Sequence, residues 1–263
     1  MPRSRLAAAR LAALLACLVA VAGTSLHERG TVRAWRAPLE VVVFPIVGDA
    51  DPATRRHVEA LEAADLAPLD AWGEREAARH GLALRRPFRT SLGPPIEALP
   101  PALAPGAGPL GTLVWSLRFR WWAWRHTPED APGGRGPGAV RVRLYTVYHA
   151  DAGRALAHSL GLRKGLLGLV HAYALEAQAS ENLVVTAHEL LHALGASDKY
   201  DATGAPRFPD GYAEPHREPL HPQRRAEIMA GRIPTGRGPA RIAPGLDRAI
   251  VAGLTAREIG WLR

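Results

Sequence analysis

The chain is poor in sulfur. Its single cysteine, Cys17, excludes an intrachain disulfide and leaves none in the body for a cysteine-switch propeptide. Only Met1 and Met229 are methionines, so Met229 stands alone in the body. Lysine is nearly missing too (Lys164 and Lys199), and the +8 formal charge comes from scattered arginines. No basic block of the sort that marks a nucleic-acid arm is present, so no nucleic-acid partner is expected. No internal repeat is visible either. The composition is 47% hydrophobic, 22% charged and 6% aromatic, which is globular rather than disordered. A chain of 263 residues can bury a sizeable core and fits one domain with elaborations.

Residues 1–30 read as a signal peptide or N-terminal membrane anchor, and 31–263 as the folded body. Arg3, Arg5 and Arg10 form a positive start, residues 11–23 (LAALLACLVAVAG) an apolar run, and Ala20-Val21-Ala22 a small-x-small cleavage site. The run is short of the roughly 20 residues a spanning helix needs. Extending it to 6–26 includes Arg10, which can snorkel. Cleaved signal and uncleaved anchor both fit. Leu14-Leu15-Ala16-Cys17 has a lipobox look, but the apolar run continues past the cysteine. In each export reading the positive end stays inside and the body crosses. The expected location is extracytoplasmic: periplasmic, anchored to the inner membrane or secreted.

The body alternates strand and helix signals, which predicts a single α/β (α+β) domain. Residues 39–47 (LEVVVFPIV) predict a central strand. Asp51 as N-cap and Pro52 at the first helical position open a helix through Leu61. A second helix fits 69–80, stopped by Gly81. Residues 87–110, rich in Pro and Gly, read as a long surface connection. Residues 112–122 (TLVWSLRFRWW) alternate, placing Trp115, Leu117, Phe119 and Trp121 on one face of a half-buried strand. Residues 132–138 read as a turn, 140–149 as a strand, and 165–175 as a third.

Residues 180–195 (SENLVVTAHELLHALG) predict a helix capped by Ser180, favoured by Glu181 near its start and ended by Gly195. Within it stands His188-Glu189-Leu190-Leu191-His192. Residues four apart share a helix face, so two imidazoles can reach one Zn²⁺ at roughly 2.0–2.1 Å. Glu189, about 100° further round, can instead reach a metal-bound water as general base. Chance alone gives about 0.03 such matches in this composition, and about 10⁻⁴ once Gly195 and Asp198 extend the pattern to H-E-x-x-H-x-x-G-x-x-D. Gly195 permits the sharp exit that brings Asp198 back as third ligand, and three protein ligands plus water is the open arrangement of a catalytic zinc. Asp201 is the alternative ligand, or orients a ligand histidine from behind.

These residues, His188 to Asp198, resemble the zinc-binding motif of the metzincin clan of zincin metallopeptidases, with Asp198 where most metzincins have a third histidine. The longer string HELLHALGASDKYD is similar to that of uncharacterised bacterial membrane-associated zincin-like proteins. The resemblance implies a mixed sheet, an active-site helix, a Met-turn and a C-terminal helix. Glu227-Ile228-Met229-Ala230-Gly231 looks like that turn, and Thr255-Ala256-Arg257-Glu258 reads as a capping box opening the last helix. A further zincin pattern, H-x-x-x-H-x-x-x-x-x-D-x-Y, gives Tyr200 a role. In zincins an edge strand above the cleft pairs with extended substrate, a part residues 165–175 could play.

The expected activity is hydrolysis of peptide bonds in a peptide or protein substrate by metal-activated water, with Glu189 shuttling the proton. Tyr200, Tyr212 and Arg232 are the candidate oxyanion donors. His149, His158, His171, His216 and His221 show no metal spacing in sequence and read as structural or surface histidines. A zinc amidase acting on cell-wall or other non-protein amides is the alternative, as is a non-catalytic zinc-binding envelope protein. Glu189 weighs against the latter, since a structural site needs no general base and closes with four protein ligands.

Overall fold

The computed structural model describes residues 32–104, 106–129, 141–150, 160–162, 166–236 and 238–262, with 160–162 described by backbone alone. The N-terminal segment, the 132–138 turn and His158 lie outside the described residues. The β-branched run Leu39–Val47 is strand β1 and sits inside a five-stranded mixed sheet of order β2-β1-β3-β5-β4. Its partners are Phe88–Leu92 (β2) and Arg141–His149 (β3), both parallel. Strand β3 pairs in parallel with Leu167–Tyr173 (β5), and Leu160–Leu162 (β4) closes the sheet antiparallel to β5.

A strand covered on both faces reads as an unbroken apolar run. Val41 and Val43 of β1 point into the larger core, and Val42, Phe44 and Ile46 into the smaller one. Helix α1 (Pro52–Ala60) starts as expected, with Asp51 accepting from the Ala53 amide and Leu61 as its C-cap. Helix α2 (Ala67–Arg79) lays Leu69, Trp72 and Ala77 into the larger core, and the Trp72 indole donates to Ala249 O at 2.9 Å.

Two expectations fail here. The Pro/Gly-rich stretch 87–110 contains β2, held by β1 and by Asp70, which accepts from the Thr90 amide. Residues 112–122 are not a strand: Pro109–His126 is one helix, α3. Trp115, Phe119, Trp122 and Ala123, spaced by four, three and one, bury against the sheet, while Leu117 and Trp121 face solvent. The period of two was present only because apolar residues occupy both sides of the helix.

Helix α4 (Ala179–Leu194) lies on the opposite face from α3, against β5 and β4. Gly168 of β5 permits this approach: a Cβ there would stand 2.6 Å from Leu144 Cδ2 and 3.7 Å from Glu189 Cβ. After α4 the chain is irregular until short strands β6 (Ala226–Glu227), β7 (Arg232–Ile233), β8 (Arg241–Ile242) and β9 (Ala249–Ile250), then helix α5 (Gly253–Ile259). Residues 165–175 are therefore not an edge. Strand β5 is paired on both sides, and the outermost strand next to it is β4.

Candidate metal centre

Helix α4 begins at Ala179, directly after a 3₁₀ turn at Glu176–Gln178, so Ser180 lies inside the first turn and does not cap it. Glu181 is in that turn as expected. Gly195 ends the helix at φ +115°, a left-handed conformation that disfavours a side chain. The reversal returns Asp198 to the helix.

Three donor groups converge. Asp198 Oδ1 lies 3.0 Å from His192 Nε2 and 3.4 Å from His188 Nε2. The ligating atoms all fall within 4.8 Å of one another, the one such group among the described residues. The imidazole centroids are 4.5 Å apart and nearly perpendicular. Each ring is oriented from behind: His188 Nδ1 donates to Ile228 O and His192 Nδ1 to Ala196 O, both at 2.9 Å. That leaves both Nε2 atoms aimed at Asp198, the arrangement that fixes a ligand tautomer. Asp201 is turned away, its carboxylate accepting from the Thr203 hydroxyl and amide and the Ala205 amide.

The electrostatics show charge on the imidazoles and on the carboxylate supporting one another. Burial opposes charge on His188, but the hydrogen bond to Asp198 and the charge of Glu189 outweigh it and raise the imidazole to about 9. Burial likewise opposes ionisation of Asp198, yet the bonds from His188 and His192 hold its carboxyl well below the usual carboxylate range. Two imidazole nitrogens and one carboxylate oxygen suit a divalent transition metal with positions left open. A cation there would take over the compensation that a shared proton supplies.

On the His188 side of this group opens a cleft of about 430 Å³, lined by His171, Tyr173, Asn182, His188, Glu189, Tyr200 and Arg232 among others. Glu189 is buried, one residue round the helix from His188. Tyr200 stacks on His188 with centroids 6.4 Å apart, and burial together with the Asp198 charge raises its phenol above the ordinary tyrosine value. Tyr212 packs between Phe208 and His221 and does not line the cleft.

The supports were largely invisible in sequence. Glu227, fully buried, accepts from the Met229 and Ala230 amides through Oε2, folding 227–231 into the turn that presents Ile228 O to His188. Its Oε1 accepts from the Thr255 hydroxyl at 2.7 Å. Thr255 and Glu258 thus form no capping box: α5 already starts at Gly253, Thr255 serves Glu227, and Glu258 serves Ser197 and Lys199. Two of the remaining histidines meet across strands. His149 Nε2 and His171 Nδ1 lie 3.4 Å apart on neighbouring strands, their rings stacked, with Asp49 3.9 Å behind His149. Burial and the adjacent His149 push His171 down to about 4. The signal for this pair was strand register, which spacing along one strand cannot reveal.

No protein-family model matches this chain, and no curated protein matches it. Its function is therefore inferred from its own residues and their geometry.

Proposed function

We propose that the chain is a zinc-dependent peptidase of zincin type, metzincin-like in its ligand spacing, acting outside the cytoplasm on peptide or protein substrates. The supporting observation is the convergence of His188, His192 and Asp198, with His188 and the buried Glu189 lining the adjoining cleft. The turn at Met229 beneath His188 and the helix α5 behind it fit the same reading, as does the mixed sheet with its antiparallel outer strand beside α4.

His188, His192 and Asp198 would hold the zinc. Bound there, zinc supplies the Lewis acidity that polarises a scissile carbonyl and acidifies a water molecule. The Glu189 carboxylate takes the proton of the attacking water and returns it to the leaving amine. The Tyr200 hydroxyl, beside Asp198, donates to the developing oxyanion, and Arg232 borders the same cleft. An extended substrate aligns along β4, the outermost strand.

Metal analysis of the purified chain tests this reading. One zinc per chain is expected, lost in His192→Ala. Glu189→Gln keeps the metal and lowers cleavage of a quenched fluorescent peptide library by about 10²–10⁴. A folded chain that takes up no offered zinc overturns the reading.

A further inference from the structure

Helix α3 is apolar on two sides. Trp115, Phe119, Trp122 and Ala123 satisfy the sheet. That leaves Leu110, Leu113, Val114, Leu117, Trp121 and Trp124, which are 42–73% exposed and recur every three or four residues along most of the helix. At about 100° per residue they fall in one stripe roughly 100° wide, centred away from the sheet. They are six of the ten large apolar side chains that the described residues expose. A water-facing helix carries its charges along the middle of the outward face. Here they flank it: Arg120 on one border, Arg118 and Arg125 on the other. No acidic residue occurs between Glu97 and Glu129.

We propose that α3 is a membrane-surface helix, seated by this stripe on an anionic phospholipid bilayer. Leucines and tryptophans enter the interface, and the arginine stems run along the apolar border so that the guanidiniums meet lipid phosphates. The helix lies on the bilayer and does not cross it: no described helix is long and apolar enough to span. The charge pattern selects lipid over a protein partner, because both borders are cationic with no acid for a partner's bases. Contact through α3 also leaves the metal cleft accessible, since α4 packs on the other face of the sheet. The basic and apolar segment at residues 1–30 would hold the chain near the same surface.

The test uses the full chain with Cys17→Ser and Leu117→Cys, labelled at 117 with an environment-sensitive fluorophore. The vesicles are one part phosphatidylglycerol to two of phosphatidylcholine, or phosphatidylcholine alone. With anionic vesicles the emission shifts to the blue and is quenched by lipid-borne nitroxides. The same label at Glu59→Cys, exposed on α1, does not respond. Adding Arg118→Gln, Arg120→Gln and Arg125→Gln weakens docking on the order of 100-fold, with an unchanged thermal melt. Three results overturn the proposal. One is a water-like label on vesicle-bound chain. Another is a label already blue-shifted without lipid, as when a second copy or residues 1–30 cover the stripe. The third is a response that ignores both lipid charge and the arginines.

Discussion

Lys199 and Glu258 form an ion pair of 2.8 Å across 59 residues of chain, and the lysine is almost wholly buried. Glu258 also accepts from the Ser197 amide and hydroxyl, at 3.0 and 2.6 Å. The residues on either side of Asp198 are therefore fixed to α5, and the Lys199 amide is fixed to Met229 O at 3.0 Å. A carboxylate between two anchored neighbours is held beside the two imidazoles. Glu258→Gln leaves the Lys199 ammonium buried without its counter-charge. It is expected to cost about 3 kcal/mol in denaturant unfolding and to weaken zinc binding by about 10–100-fold. Unchanged zinc affinity would show that this pair does not position Asp198.

Glu227 predicts a pH dependence. Burial raises its carboxyl to about 7, against the bonds from Thr255, Ala252 and Met229 that lower it. The folded state thus binds the proton more tightly than the unfolded chain, whose glutamate titrates near 4.5. The resulting stabilisation is complete below pH 4.5 and is lost as pH rises through 7, by about 2–3 kcal/mol over that window. Glu227→Gln removes this slope. Equilibrium unfolding at several pH values, compared between the two proteins, checks it.

Much of the framework was legible because its signals are local. The β-branched run at β1, Asp51-Pro52 at α1, and Gly195 after the H-E-x-x-H helix each declare a backbone state without outside help. The convergence of His188, His192 and Asp198 was legible for the same reason, since helix periodicity and one glycine reversal bring them together. What failed or went unseen depended on distant partners. Strand β2 exists because β1 pairs with it, the His149–His171 contact because β3 and β5 share a register, and Thr255 leaves its capping role because a buried carboxylate is closer. Capping propensity is worth about 1 kcal/mol, and tertiary hydrogen bonds to a buried charge exceed it.

Tyr200 gives a prediction specific to the proposed chemistry. In that chemistry its hydroxyl acts on the oxyanion and not as a ligand, so Tyr200→Phe should retain stoichiometric zinc. The expected loss is about 10²-fold or more in kcat with little change in KM. Metal analysis beside steady-state kinetics separates this from loss of the site, which removes zinc and activity together.

The two faces of α3 give the last prediction, because helix and strand assign its aromatics differently. In a strand Trp115, Leu117, Phe119 and Trp121 would share the buried side. In the helix Phe119 is fully buried, stacked on Trp115 and Trp122 and edge-on to Tyr145, while Trp121 is mostly exposed. Phe119→Ala should cost about 3–5 kcal/mol through the cavity it leaves between helix and sheet. Trp121→Ala should stay within about 0.5 kcal/mol, as surface changes do. Comparable losses at both positions in chemical denaturation would contradict the helix. A large loss at Phe119 alone would also mean that the outward tryptophans are not kept for the fold, as the proposed membrane seat requires.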